Sequence, residues 1–396
     1  MTPYADFLYF GVLLYVVVPA VLAGLTGRFG RTLILAASAL MLLVHYARPQ
    51  AVWDGLTVAS GVWLVAGYAL FQWGVARGLL ALRMRGGGKA AFRCALALSL
   101  LPLVVSRLLP LLPGGNDPVG APGFVGLSYI TFRSLDVIFG IADAMILELP
   151  AADYLAFLLF FPTISSGPVD RFRRFSSDFR RRRSRREFLD DLDLAVHRLF
   201  TGFLYTFVLS ALVSRHWLDP SLKTPGPGGA LSTMYAYSLH LFFDFAGYSA
   251  FAVAFSLLLG VRSPENFDRP FLARNIRDFW NRWHISLSFW FRDHVYNRFV
   301  FAAVKGRWFS TPAAASAAGL LLTMGLMGVW HGLAPRYVVY GLYHGVLLVV
   351  YEAWVRWKKR TKRVGTGGRL GEAAAVFGTF NLVCFGLLIF SGRLFR

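Results

Sequence analysis

The sequence predicts an all-α integral membrane protein with about ten or eleven transmembrane helices, joined by re-entrant and amphipathic helices. The 396 residues are 56% hydrophobic and only 16% charged, whereas about a quarter of the residues in a soluble protein are charged. Apolar runs near the roughly 20 residues that a helix needs to cross a bilayer recur from end to end. The runs do not alternate as the strands of a membrane β-barrel do, so helices are the predicted solution.

The apolar runs give the order of the predicted helices. They are Tyr4 to Leu25, Leu33 to His45, Val52 to Leu82, Cys94 to Leu112, Tyr154 to Ile164, Leu194 to Val213, Ala230 to Leu259, Ala313 to Trp330, Tyr337 to Trp357 and Ala373 to Phe390. The first run lacks a preceding basic segment and a small-residue cleavage site, so we expect a retained span rather than a signal peptide. Pro113 to Asp117 (PGGND) should end the fourth run, because proline and glycine interrupt helices.

Basic loops set the predicted orientation, since cytoplasmic loops of membrane proteins carry an excess of Lys and Arg. Most of the net charge of +20 lies between the apolar runs. The loops expected in the cytoplasm are Arg28 with Arg31, Arg83 to Arg93, Arg171 to Arg186 and Lys358 to Arg363. The N-terminus is then outside, and one segment between Gly120 and Ser166 does not cross fully. Basic loops beside anionic lipid account for the charge without a nucleic-acid partner.

Two segments place polar side chains inside apolar sequence. In Phe124 to Glu148, residues Tyr129, Arg133 and Asp136 fall at helical spacing and can share one face. Lipid would not tolerate such a face, so this segment should face the protein interior or be re-entrant. Farther along, His240, Asp244 and Tyr248 recur at every fourth position and predict a second polar face.

The stretch from Asn275 to Asn297 (NIRDFWNRWHISLSFWFRDHVYN) is the most unusual part of the chain. It combines three tryptophans with three arginines, two aspartates and two histidines. Such a polar, aromatic-rich segment in an apolar membrane chain is by default a functional-site hypothesis. An interfacial amphipathic helix is the simpler alternative, but it does not explain why acids, bases and histidines are crowded together.

His331 ends an almost unbroken apolar run and precedes Gly332 and Pro335, so the helix should break there. A broken helix at membrane depth is tolerated where it is buried or lines a cavity, and a neutral imidazole in a cavity is a candidate general base. The residues alone leave catalytic and structural roles of His331 equally open, and for His240 and His344 they favour a structural role.

The chemistry available to these residues is limited. The sequence has no HExxH, CxxC, Walker, GxSxG or dinucleotide-binding motif, and its two cysteines, Cys94 and Cys384, lie in apolar runs. We therefore expect no bound metal and no tightly held cofactor. If the protein is an enzyme, a histidine would act on a reactive donor brought from elsewhere. A thioester would suit, because it needs only a base that activates an incoming hydroxyl.

The motifs resemble one family. RDFWNRWHISLSFWFRD (Arg277 to Asp293) and MGVWHGL (Met327 to Leu333) are similar to the two signatures of the membrane-bound O-acyltransferases. The resemblance extends to GLSYITFRSLDV (Gly126 to Val137), FFPTISSGPVDRFRRF (Phe160 to Phe175) and HLFFDFAGYSAFA (His240 to Ala252), and so covers about Gly126 to His344. Residues 1–396 are expected to form a single membrane domain. Within the family, FPTISSGPVDRFRRF and SLSFWFRDHVYNRFVF resemble the branch of the bacterial D-alanylation system.

The resemblance implies a reaction and a set of sites. A small acidic carrier protein would bring D-alanine as a thioester on its phosphopantetheine arm to the cytoplasmic face of a bacterial cell membrane. The acyl group would pass through a central tunnel to a hydroxyl of an envelope acceptor, such as teichoic acid, or to accessory transfer proteins outside. By motif match, His331 is the catalytic histidine, and His284, the second signature histidine, joins it in the catalytic site and lines the tunnel. The expected tunnel-lining residues are Trp283, Asn281, Ser286, Asp244 and Trp330, and the expected carrier-docking residues are Tyr296, Arg298, Phe299 and Val300.

Two rival functions are considered. One is O-acetylation of an envelope polysaccharide, which the alginate-acetylation branch of the family performs; Val295 to Phe301 (VYNRFVF) lacks the proline-leucine-glycine segment typical of that branch. The other is a transporter or channel whose intramembrane polar residues line a path. The presence of both signatures makes transport the weaker alternative.

Overall fold

A computed structural model describes residues 3–4, 6–28, 30–46, 55–109, 126–361 and 368–395, with the side chains of 55–60 left out. The expected break at Pro113 to Asp117, the start of the run Val52 to Leu82, the end of the run Cys94 to Leu112, Phe124 and Arg363 lie outside the described residues. Within the described ranges the chain forms helices joined by turns, and its only β pairing is an isolated bridge between Phe267 and Trp283. The predicted all-α membrane fold is confirmed.

The helices run the length of the chain. In order they are α1 (Phe7–Leu25), α2 (Arg31–Tyr46), α3 (Gly55–Met84), α4 (Lys89–Leu108), α5 (Leu127–Ala142), α6 (Ala151–Leu158), α7 (Phe172–Arg180), α8 (Arg185–Phe203), α9 (Ala211–Val213), α10 (Asp219–Lys223), α11 (Gly226–Leu258), α12 (Ile276–Trp280), α13 (Ile285–Phe291), α14 (Asn297–Lys305), α15 (Pro312–His331), α16 (Pro335–Arg360) and α17 (Arg369–Ser391). Two π-helical segments (Leu204–Ser210 and Ser214–Leu218) connect α8, α9 and α10.

Eight helical segments of the described residues are long and apolar enough to cross a bilayer: Phe7–Leu25, Gly61–Met84, Lys89–Leu108, Arg185–Lys223, Gly226–Leu258, Pro312–His331, Pro335–Arg360 and Arg369–Ser391. Two shorter apolar stretches, Arg31–Tyr46 and Ala151–Thr163, accompany them. The chain is thus a multi-pass membrane protein, while the expected ten or eleven crossings stay a prediction.

The helices divide into two compact units, one made of Met1–Thr201 with Tyr248–Pro264 and the other of Gly202–Gly247 with Glu265–Arg396. In the first unit, α5 is buried along nearly its whole length. Arg133 is 1% exposed and donates from Nη1 to the carbonyls of Phe157 and Leu158, both at 2.9 Å. Asp136 accepts from Arg171 Nη1 at 2.9 Å and from the Phe172 amide at 2.9 Å. The expectation that this polar segment faces the interior is confirmed.

The second unit contains a close crossing of α15 and α16. A Cβ added at Gly328 would lie 3.1 Å from the Cα of Gly341 and would collide with the carbonyl oxygen of Tyr337. A Cβ at Gly341 would in turn collide with the carbonyl oxygen of Met324. Small residues let membrane helices approach this closely. The crossing places the end of α15, which carries His331, beside the first turns of α16.

Candidate functional site

The site lies in the second unit, and its first part is the turn that holds His284. Asp268 N–H donates to the Arg282 carbonyl at 3.0 Å, and Ile285 N–H donates to the Asn266 carbonyl at 3.0 Å. These bonds flank the bridge between Phe267 and Trp283. His284 itself adopts left-handed backbone angles (φ 43°, ψ 50°) immediately before α13. Such a conformation is uncommon for a residue other than glycine and is found where surrounding structure enforces it, often at functional sites.

Asn266 orients the His284 ring. The asparagine is fully buried, and its Oδ1 accepts from Ser286 Oγ at 2.6 Å and pairs with His284 Nδ1 at 3.3 Å. Because Oδ1 is an acceptor, Nδ1 carries the proton in this arrangement, and Nε2 keeps its lone pair. Burial, and to a smaller extent nearby His331, lowers the pKa of His284 to about 3. The His284 imidazole is therefore neutral at physiological pH.

His331 is the last residue of α15, and the extended Gly332 follows it. After a three-residue turn, α16 begins at Pro335, so the expected helix break at His331 is confirmed. The ring is half-buried and contacts Trp330 with 4.5 Å and Phe390 with 4.9 Å between ring centroids. The break therefore leaves the His331 ring at the end of α15, among aromatic side chains of α15 and α17.

Both histidines line one small cavity of about 70 Å³. The rest of the lining is aromatic or aliphatic: Leu241, Phe245, Trp280, Trp283, Leu287, Met327, Tyr340, Leu387 and Phe390. His284 also touches Phe245, with 4.7 Å between ring centroids, and Trp330, with 6.4 Å. The cavity therefore holds two imidazoles in a largely apolar surrounding, where a proton transfer is shielded from bulk water.

A larger cavity of about 470 Å³ shares Trp280 and Met327 with the small one. Its polar lining comes from the first signature segment, from Tyr296 just after it, and from α15 and α16: Arg277, Asn281, Ser288, Arg292, Tyr296, Thr323 and Glu352. Arg277 forms an ion pair with Glu352, and its guanidinium lies 5.4 Å from the ring centroid of Tyr351. The shared residues make Trp280 and Met327 a common wall between the two cavities.

The expected lining residues fall in different places. Trp283 lines the small cavity and Asn281 the larger one. Ser286 is buried behind His284 on Asn266, while Trp330 contacts both histidine rings. Asp244 lines neither of these two cavities, and its role in the path stays a prediction.

The expected docking residues are half-buried rather than exposed. A Cβ at Gly319 of α15 would lie 2.8 Å from Val300, 3.2 Å from Phe299 and 3.2 Å from Tyr296. Tyr296 OH also shares a hydrogen bond with Ser316 Oγ at 2.7 Å. The side of α14 that carries Phe299 and Val300, with Tyr296 just before the helix, thus packs on α15. The exposed residues of this segment include Phe301, Val304, Lys305, Arg307 and Trp308.

Three residues of the site were not predicted from the sequence: Asn266, Tyr340 and Phe390. Asn266 lies in a loop without hydrophobic periodicity, so nothing in its surroundings marks it. Tyr340 and Phe390 belong to ordinary apolar helices, and only the fold brings them to His331. His344 was expected to be structural, and it is fully buried against Trp280, with 5.2 Å between ring centroids.

Comparison with known proteins gives a consistent result. The model of the membrane-bound O-acyltransferase family matches residues 141–390. The teichoic acid D-alanyltransferase of Bacillus subtilis (strain 168) is 40% identical over 402 residues, which cover 100% of this chain and 99% of that protein. The protein of the same name from Streptococcus thermophilus is 40% identical over 75% of this chain and 74% of its own length.

A second group of relatives matches a smaller part. The probable alginate O-acetylase of Pseudomonas syringae pv. tomato is 34% identical over 236 residues, which cover 58% of this chain and 43% of that protein. The family match includes both signature segments and extends beyond the expected limit at His344 into α17, where Leu387 and Phe390 line the histidine cavity. This chain is a membrane-bound acyltransferase and belongs to the membrane-bound O-acyltransferase family.

Proposed function

We propose that this enzyme transfers D-alanine from the phosphopantetheine thioester of an acidic carrier protein to a hydroxyl group of the cell envelope, such as that of teichoic acid. The observation that carries the proposal is the cavity lined by His284 and His331, which shares Trp280 and Met327 with a larger cavity beside it. The full-length similarity to proteins named teichoic acid D-alanyltransferase supports the choice of donor and acceptor.

In the proposed mechanism His331 is the general base. One of its ring nitrogens takes the proton of the acceptor hydroxyl while the oxygen attacks the thioester carbonyl. The carbon–sulfur bond then breaks, the ester forms, and the imidazolium returns its proton to the departing thiolate. Neutral His284 faces the same cavity and can accept a hydrogen bond at Nε2, which would position the acceptor. This scheme needs no tightly bound cofactor, because the activated acyl group arrives on the carrier.

The two sides of the membrane have separate tasks in this proposal. The enzyme would lie in the bacterial cell membrane with its N-terminus outside, which follows from the basic loops. The carrier would stay in the cytoplasm, and its slender arm would enter the larger cavity and reach the histidines past Trp280 and Met327. The acceptor, or an accessory transfer protein, would approach from the outer face.

Reconstitution into lipid vesicles with a D-alanyl-loaded carrier protein and teichoic acid as the acceptor tests the role of His331. Loss of the thioester and formation of ester-linked D-alanine are measured together. We expect His331→Ala to insert and fold normally but to lose at least about 100-fold in rate, the scale of a general base. His284→Ala should cause a large but incomplete loss, because water can partly replace a positioning group. The control is His197→Ala, whose side chain is 74% exposed; near-normal ester formation by His331→Ala would refute the assignment.

The O-acetylase reaction is the second candidate, because alginate O-acetylases also match the signature region. The same vesicles distinguish the two reactions when the carrier is loaded with acetate instead of D-alanine. The proposal expects the D-alanyl thioester to be consumed and the acetyl thioester to persist. Faster consumption of the acetyl thioester would establish the second candidate.

Carrier docking is proposed at α14 and the turn after it. The exposed side of this segment combines apolar Phe301 and Val304 with basic Lys305 and Arg307, which complements an acidic partner. Charge reversal by Lys305→Glu should weaken carrier binding at least about fivefold, with a smaller effect at high salt. Arg298→Glu tests the half-buried side of α14, and Arg369→Glu is an exposed control at the start of α17. Undiminished binding by both α14 variants would remove this helix from the interface.

A further inference from the structure

The first unit contains a cavity that is lined almost entirely by arginine and glycine. Its volume is about 560 Å³, and its lining comes from the loop between α1 and α2 and from the end of α7: Gly27, Arg28, Gly30, Arg31, Thr32, Arg180, Arg181 and Arg182. The volume falls in the usual range of small-molecule sites, about 300–1,000 Å³. The proposed acyl transfer does not use this cavity, and the part of its lining between α1 and α2 precedes the family match, which begins at residue 141.

The walls of this arginine pocket are fixed by contacts outside it. Gly24, in the last turns of α1, lies so close to the Phe188 ring that a Cβ there would collide with it. The Arg31 guanidinium lies 5.8 Å from the ring centroid of Phe179 on α7. At the end of α7, Arg180 forms an ion pair with Asp153. These contacts hold the end of α7 beside the loop between α1 and α2, and the arginine side chains between them are exposed at the surface.

The positive charge inside the pocket is only partly balanced. Arg180 pairs with Asp153, and Arg181 pairs with Glu187. Among the described residues, no carboxylate lies within ion-pair distance of Arg28, Arg31 or Arg182. Arg31 also begins α2, whose first turn has no acidic residue, although a helix N-terminus normally favours negative charge. Three guanidinium groups and a helix dipole thus point to an anion with several acceptor oxygens.

The position of the pocket indicates which anion. It follows directly after α1, a candidate membrane-spanning helix that ends at Leu25, so it lies at a membrane–water interface. The adjoining turns of α1 and α2 expose apolar Leu22 and Leu35. If the phosphate of a phospholipid occupied the pocket, the acyl chains of the same lipid could therefore lie along these two helices. Basic pockets beside transmembrane helices on the cytoplasmic side are suited to lipid head groups.

We propose that the arginine pocket binds the phosphate of an anionic phospholipid through Arg28, Arg31 and Arg182. The guanidinium groups bind the phosphate oxygens through paired N–H donors, and the acyl chains lie against Leu22 and Leu35. The bound lipid ties the loop between α1 and α2 to the end of α7. It is therefore a structural ligand that stabilises the first unit.

Thermal unfolding of the full-length protein tests this proposal. The protein is embedded in phosphatidylcholine nanodiscs, and phosphatidylglycerol is then added at increasing mole fraction. The wild type should gain at least about 3 °C in Tm, as expected for a ligand that binds only the folded state. The triple variant Arg28→Gln/Arg31→Gln/Arg182→Gln should lose most of this gain. The control triple variant Arg173→Gln/Arg185→Gln/Arg186→Gln removes the same charge from exposed arginines that do not line the pocket, and it should keep the gain.

Separate arms distinguish the other possible occupants. Inorganic phosphate alone should leave Tm unchanged, and an equal gain with phosphate would replace the lipid by a free anion. If both triple variants lose the Tm gain equally, the gain comes from general surface charge, and the proposed lipid site is refuted. If the pocket variant keeps its Tm gain with phosphatidylglycerol but no longer binds the acidic carrier, the pocket binds a protein rather than a lipid. If the triple variant does not fold, Arg182→Gln, on the exposed turn after α7, replaces it and should lose about half of the gain.

Discussion

A single buried amide determines what the His284 imidazole can do. Asn266 binds both His284 and Ser286 through one oxygen, and its backbone carbonyl also accepts the Ile285 amide. An imidazole can act reliably only when its tautomer and ring orientation are fixed, and a partner on the second nitrogen fixes both. Asn266 is therefore a positioning residue in the proposed mechanism, although it does not line the histidine cavity.

Replacement of Asn266 tests this role. Asn266→Ala should reduce D-alanyl transfer at least about tenfold, because outer partners of an imidazole typically have effects of that size. Asn266→Asp should restore part of the activity, since a carboxylate oxygen still accepts from Nδ1 and from Ser286. The control Asn381→Ala removes an amide that accepts the Tyr235 hydroxyl without touching either cavity histidine. Equal losses in Asn266→Ala and Asn266→Asp, with matching losses in Tm, would mean that Asn266 serves the fold alone.

At the scale of the residue, the sequence predicted those features that depend on residues close together in the chain. Arg133 and Asp136 were placed in the interior because lipid excludes such charges, and the break after His331 followed from Gly332 and Pro335. Asn266 and Phe390 could not be found in this way, because their roles come from residues distant in the chain. The docking residues show a related limit: an amphipathic helix such as α14 does not encode which of its two sides meets α15.

Among the elements, the crossing of α15 and α16 positions the proposed base. Gly328 and Gly341 meet with almost no space between the two backbones. This contact brings Tyr337 and Tyr340 of α16 against the His331 ring, with centroid separations of 6.2 and 6.3 Å. Two helices that meet through glycine cannot adjust to a larger residue without moving apart. Any such movement would displace His331 relative to His284.

Two glycines of α15 provide a matched pair of variants for this crossing. Gly328→Ala should destabilise the protein by about 1–3 kcal/mol, the usual cost of overpacking, and should also lower the transfer rate. Gly325→Ala lies one turn earlier, where an added Cβ would meet only Leu342 at 3.9 Å, so it should be neutral or slightly stabilising. Thermal unfolding and the vesicle assay measure both effects. A harmless Gly328→Ala would show that the crossing tolerates separation.

Helix lengths were predicted less well than helix positions, for a physical reason. The run Leu194 to Val213 marks the apolar centre of a helical segment that extends from Arg185 to Lys223. Its ends carry charged residues such as Glu187 and Lys223, which hydropathy excludes although the helix continues through them. The apolar pattern reports contact with lipid, whereas the helix is also held by backbone hydrogen bonds that continue into water.

At the scale of the whole molecule, the distribution of charge provides a test of orientation. The net charge of +20 is concentrated in loops that follow spanning segments, and the arginine pocket and the proposed docking helix both belong to basic stretches. If the positive-inside rule holds here, these stretches share the cytoplasmic side. The proposed reaction requires this arrangement, because the proposed carrier would deliver its thioester from the cytoplasm while the acceptor would lie outside.

Single-cysteine labelling of intact cells tests this orientation. Cys94 and Cys384 are first replaced by alanine, and one cysteine is then introduced at Arg85, Lys359 or Lys223, all of which are exposed. A membrane-impermeant maleimide should label only Lys223→Cys, which ends the spanning segment Arg185–Lys223 opposite its basic start. Arg85→Cys and Lys359→Cys should react only after the cells are permeabilised, because positive charge holds their loops inside. Labelling of Arg85→Cys in intact cells would mean that the N-terminal half has the opposite orientation and that the arginine pocket lies outside. Labelling of Lys359→Cys would contradict carrier docking on the cytoplasmic side.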